Sequence, residues 1–171
     1  MHSIVFAAIV IIGVNPVARA ETAILECTAD ASGPGKPASG KAPALQTPGV
    51  LFLSFRTWNI PKWRIASADL FLHILQGGPP PKVRIAILTE PWTEAASSAI
   101  ATGSLIFTAH AVNFQPQEWI SIKVNARLMD EIAAGRAHGL AIRFSGPKPL
   151  VIHARESGGF APYMIVSGRA S

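Results

Sequence analysis

The stretch Ala68-Asp69-Leu70-Phe71-Leu72-His73-Ile74 sets the fold class of this chain. Ala68, Leu70, Leu72 and Ile74 fall on one side of an extended backbone, and Asp69, Phe71 and His73 on the other. That is the period-two pattern of a strand with one face in a core. Gln76-Gly77-Gly78-Pro79-Pro80-Pro81 stops it, because prolines cannot donate to a ladder and paired glycines favour a turn. The alternation recurs downstream. Val83, Ile85 and Ile87 alternate with Arg84 and Ala86; Ile120, Ile122 and Val124 alternate with Trp119, Ser121 and Lys123. Leu140, Ile142 and Phe144 alternate with Ala141 and Arg143. Val50 to Phe55 is an apolar run, and Thr22–Ala29, Leu105–Val112, Leu150–Ala154 and Tyr163–Val166 read as further strands.

One stretch has a different period. Between Asn125 and Gly135 the apolar residues Leu128, Met129, Ile132 and Ala133 fall at helical spacing, with Arg127, Asp130 and Glu131 opposite. Asn125 suits an N-cap and Gly135 a stop. The chain therefore reads as about eight or nine short strands and one short helix, separated by Gly/Pro turns. That pattern predicts an all-β fold: an antiparallel jelly-roll β-sandwich with one short helix.

Composition supports one packed domain. The chain has 171 residues, 49% hydrophobic and 15% charged, which excludes a disordered chain lacking apolar surface. Its one cysteine, Cys27, excludes an intramolecular disulfide framework and a multi-cysteine zinc site. Ile4 to Val14 is an apolar run, followed by Asn15-Pro16 and Ala18-Arg19-Ala20. Small residues at the third and first positions before a cut suit signal peptidase, so cleavage is expected after Ala20. The run is about 11 residues, short of the roughly 20 that span a bilayer. Residues 1–20 are then a signal peptide, 21–49 a short strand and Gly/Pro-rich loop, and 50–171 the sandwich domain. The expected location is secreted or periplasmic, with no membrane span after cleavage. The leader carries Arg19 and no acid, so the mature chain holds 14 Lys and Arg against 10 Asp and Glu. Its cations are scattered rather than clustered, which points away from nucleic acid. An anionic polymer outside the cell, or solubility alone, fits the mild positive charge.

The order of motifs adds a family resemblance. A strand ending in Phe55 is followed by Ile60-Pro61, then by Ile65-Ala66-Ser67-Ala68-Asp69-Leu70-Phe71-Leu72. Trp92-Thr93-Glu94 follows, then Trp119 to Asn125 running into the helix, Gly139-Leu140, and Ala154-Arg155-Glu156. Over roughly residues 50 to 168 this resembles the secreted jelly-roll modules called DNRLRE domains, similar to carbohydrate-binding modules found beside polysaccharide-degrading enzymes. Arg56 stands where the family usually has Asp, and the family's Asp-Ala opening is reduced to Ala29-Asp30-Ala31. The resemblance implies structural roles for Trp92, Glu94, Trp119, Arg155 and Glu156, with Trp119 packed beneath the following helix; on its residues alone Trp119, sharing a strand face with Ser121 and Lys123 opposite Ile120 and Ile122, could instead be a sugar-stacking platform.

The residues themselves offer one ligand-like cluster. Trp58 and Trp63 bracket a presumed loop that also carries Lys62, with Arg64 next. Indoles can stack on a sugar ring, and cations can bind its carboxylates. Arg155 and Glu156, read as strand neighbours, would point to opposite faces and not pair. Glu90 and Glu94 have no enforced geometry as a hydrolytic pair. No Gly-x-Ser-x-Gly elbow, P-loop or dinucleotide fingerprint is present, so no catalytic residue and no cofactor are assigned. His73, His110, His138 and His153 lie on different strands without metal-ligand spacing; a cation site of carboxylates and loop carbonyls remains open. The expected function is a non-catalytic exported module for a polysaccharide, an acidic one by charge. The alternative is a structural or surface-interaction domain with no sugar ligand, within a larger cell-surface assembly.

Overall fold

One long strand feeds both layers of the molecule. The computed structural model describes residues 20–33, 44–46, 50–57, 60, 63–78, 82–94, 102–109, 111–112, 116–145 and 149–170. Strand β1 (Ala20–Gly33) shifts register between Cys27 and Ala29. Such a bulge bends a strand and lets it change sheets. Before the shift, Ala20 to Glu26 pair with β11 (Tyr163–Ala170); after it, the chain pairs with β3 (Val50–Phe55).

The first layer continues from β11 to β4 (Trp63–Gln76), then β8 (Trp119–Val124) and β7 (Ala111–Val112). At the far end of β4, β10 (Val151–His153) and then β2 (Ala44–Gln46) extend it. The second layer runs from β3 to β9 (Leu140–Ser145), β5 (Lys82–Leu88) and β6 (Thr102–Ala109). Every described pairing is antiparallel. The expected all-β sandwich with one short helix is therefore the fold class observed.

The alternating apolar residues meet between the layers. Leu25, Leu70, Leu72, Ile120, Ile122 and Met164 from the first layer share one buried cluster with Leu51, Leu53, Ile85, Leu140 and Ile142 from the second. Helix α1 (Ala126–Ala133) adds Leu128, Met129 and Ile132 to that cluster. Asn125 caps it as expected, its side-chain oxygen accepting from the Arg127 N–H at 2.9 Å. A smaller cluster of Ala31, Phe52, Ala86, Leu88 and Ala141 covers the outer face of the second layer, with Trp92 packed on it. Strand β3 is thus buried on both faces, which is why it reads as a run rather than an alternation.

Two expectations of the sequence need correction here. Residues 32–49 are not loop throughout: Ser32 and Gly33 complete β1, and Ala44–Gln46 form β2 against β10. Trp119 is not beneath the helix. Ile120 and Ile122 take the core face of β8 beside the helix, and alternation puts Trp119 on the opposite face.

Candidate functional site

Alternation that sends leucine and isoleucine inward sends aromatic rings outward on the first layer. On β4 these are Phe71 and His73, on β8 Trp119, on β10 His153 and on β11 Tyr163. Register brings them together: Phe71 lies opposite Tyr163, and His73 opposite Trp119. Phe71 and Tyr163 stack at 4.8 Å with ring planes 4° apart. Trp119 meets Tyr163 at 5.1 Å and 67°, and His73 at 5.2 Å and 83°. The result is a continuous face of rings across three strands. Phe71, Trp119 and Tyr163 are half-buried, so part of each faces solvent.

At one end the face becomes imidazole. His73 and His153 lie 4.9 Å apart, and Phe160 covers both, at 4.4 Å and 5.0 Å respectively. Phe160 itself is 45% exposed. Burial of His73, then the neighbouring His153, hold the His73 pKa below its usual value, while a hydrogen bond to the Gln117 backbone opposes the shift. Nδ1 of each histidine is buried without a hydrogen-bond partner.

A second constellation ties the bulge of β1 to two loops. The segment Arg155–Phe160 is a pair of 3-10 turns joined at Gly158, not a strand. Its first N–H, that of Arg155, donates to Asp30 Oδ2 at 2.5 Å. Arg155 Nη2 donates to Glu94 Oε1 at 3.0 Å and lies 2.6 Å from Glu156 Oε1. Glu94 Oε1 also accepts from the Asp30 N–H at 3.3 Å. The expectation that Arg155 and Glu156 do not pair is overturned: a 3-10 turn sets successive side chains about 120° apart rather than on opposite faces, within reach of the long Arg155 side chain.

Asp30, Glu94 and Glu156 each offer an oxygen within 4.8 Å of the others, a donor set suited to a hard cation. Arg155 already supplies positive charge there. Asp30 is only 3% exposed, and its pKa is raised to about 6. Burial is the main cause, opposed by the Arg155 N–H and reinforced by the charges of Glu156 and Glu94. The same burial, with the charge of Asp30, pushes the Cys27 thiol up, so this cysteine stays protonated and unreactive.

The remaining sequence candidates are scattered. Trp58 and Lys62 lie outside the described residues, as do residues 1–19 with the expected leader. Trp63 and Arg64 are not in a loop: they open β4, opposite Ala170 and Arg169. Arg64 is exposed. Trp92 packs on Phe52 at 6.1 Å, with its Nε1 unpartnered. Arg56 pairs with Glu26 at 3.3 Å on the surface. His138 is exposed and apart from the imidazole pair, and His110 lies outside the described residues. Among the described residues no helix is long and apolar enough to cross a membrane.

Sequence reasoning weighed Trp119 as a sugar-stacking surface but missed its grouping with Phe71 and Tyr163, and missed the imidazole pair. The signal was available in part: Phe71, His73, Trp119 and Tyr163 each occupy an outward slot of an alternating strand. No family model and no curated protein matches the chain.

Proposed function

We propose that this chain is an exported, non-catalytic carbohydrate-binding module that holds a polysaccharide on the outer face of its first layer. The observation that carries the reading is the group of rings Phe71, Trp119 and Tyr163, half-buried across adjacent strands. Aromatic rings offer sugars an apolar surface with little conformational entropy to lose. Lys123 is exposed on the same outward side of β8 as Trp119, where it pairs with Asp69 at 3.7 Å. The positive charge of the mature chain favours an acidic polymer. Export is the reading of Ile4 to Ala20, and the DNRLRE-like motif order supports the module class.

The test is affinity electrophoresis against alginate, pectate and a neutral glucan. The polyuronates should retard the protein, less so as salt is raised, because screening weakens exposed charge pairs. Trp119→Ala should abolish most of the retardation while the protein stays folded. Trp63→Ala serves as the arm for the alternative location near Trp58 and Lys62. If no glycan retards the protein at low salt, the module is instead a surface-interaction domain. The exposed apolar residues Ile24 and Leu75 on the same layer favour that second reading. Mature protein recovered outside the cytoplasm should begin at Glu21; soluble cytoplasmic protein retaining Met1 would overturn export.

A further inference from the structure

We infer that His73 and His153 form a two-imidazole site for a borderline divalent transition ion such as zinc. The two side chains come from different strands brought together by the pairing of β10 with β4, where Ile152 lies opposite Ile74. Their ring centroids are 4.9 Å apart with planes at 62°. Nδ1 of both rings is buried and has no hydrogen-bond partner, so the two nitrogens do not bond each other. A buried unpaired nitrogen is costly, and proteins leave few of them. Two on touching rings are satisfied together by one shared ligand. An ion bound at about 2.0–2.1 Å from each nitrogen provides that.

The chemistry of the surroundings agrees. Imidazole nitrogen selects zinc, copper or nickel over calcium and magnesium. Phe160 stacks on His153 and lies tilted against His73, but it is 45% exposed. It follows Gly158-Gly159, around which there is open space. Swinging aside, it would leave room for the ion and for water in the remaining positions. This site is separate from the carboxylates around Arg155, and it does not depend on sugar binding.

Trp119 reports on the site, because its ring lies 5.2 Å from His73. Copper(II) added to the full-length mature protein should quench part of the tryptophan fluorescence saturably, with one ion bound. Zinc should compete and restore the signal. His153→Gln should weaken the interaction by about tenfold or more, whereas His138→Gln, at an exposed and distant histidine, should leave it unchanged. A variant that misfolds would be uninformative, so nitrogen-15 NMR of the unmodified protein provides the second measurement. Zinc should shift the Nδ1 resonances of His73 and His153 first. The inference is overturned if quenching does not saturate, if His153→Gln titrates like the unmodified protein, or if zinc shifts other histidines instead.

Discussion

Asp30 should make this protein lose stability as pH rises through the mildly acidic range. Its carboxyl is buried at 3% exposure, and its pKa is raised from 3.8 to about 6. A raised acid pKa means that the folded state binds the proton more tightly than the unfolded chain. The stabilisation is fully present below about pH 4 and is lost as pH rises through about 6. A shift of about two units corresponds to about 3 kcal/mol, an order-of-magnitude figure. The perturbation is Asp30→Asn, which keeps an oxygen to accept from the Arg155 N–H and removes the charge. The assay is denaturant unfolding of both proteins at intervals from pH 4 to 8. The difference in stability between them should change by about 3 kcal/mol over that range, with the variant gaining relative to the unmodified protein as pH rises. Carbon-13 NMR of the Asp30 carboxyl should show a midpoint near 6. Parallel stability curves, or a midpoint near the ordinary aspartate value, would refute the reasoning. Burial would then not outweigh the Arg155 N–H and the guanidinium charge.

Gly139 has φ +145°, and a Cβ there would sit 2.3 Å from the Leu53 carbonyl oxygen. Gly139→Ala should therefore forfeit the β3–β9 junction and cost at least about 1–3 kcal/mol in thermal or chemical unfolding; an unchanged melting temperature would count against the close approach. Trp92→Ala should cost about 2–3 kcal/mol, below the roughly 3–5 of a fully buried ring, because the indole is only half-buried on Phe52. Its effect on glycan retardation should be small, the reverse of Trp119→Ala; equal loss of retardation in both variants would mean that Trp119 acts through stability.

The strands with a wet face were legible because their alternation is strong. Ala68 to Ile74 and Ile120 to Val124 each carry an unbroken inward series, and the structure adds only their ends. Strand β2 was not legible, since its three residues lie in a Gly/Pro-rich stretch with Leu45 as the buried apolar side chain. The helix was legible to within a residue or two, because its cap and its period agree. Arg155-Glu156 was misread for a physical reason. The two residues were assigned to a strand, yet Ser157-Gly158-Gly159 directly after them cannot sustain a ladder and favours tight turns.

The platform and the imidazole pair depended on something that single-strand periodicity does not contain. Alternation assigns a residue to a face, but register decides which outward residues touch. Phe71, His73, Trp119 and Tyr163 each look like an isolated apolar or aromatic residue in a solvent slot, and one such residue needs no explanation. Pairing of β4 with β8 and β11 turns four isolated residues into one contiguous face, and a contiguous face does need one. The same pairing logic joins Asp30 to Arg155 and Glu94 across most of the length of the chain. Two clusters thus arise from long-range pairing, but they differ in chemistry. Around Asp30 the carboxylates, Arg155 and two peptide N–H groups bind one another and tie the bulge of β1 to two loops, with Arg155 Nε left buried and unpartnered. Around His73 the rings leave two nitrogens unpaired and three aromatic surfaces partly open. Polar groups that are satisfied internally build architecture, and those left unsatisfied at a surface are available to a ligand. On the function proposed above, the ligand would meet the outer face of the first layer, while most bonds of the carboxylate–arginine cluster hold the β1 bulge to its two loops.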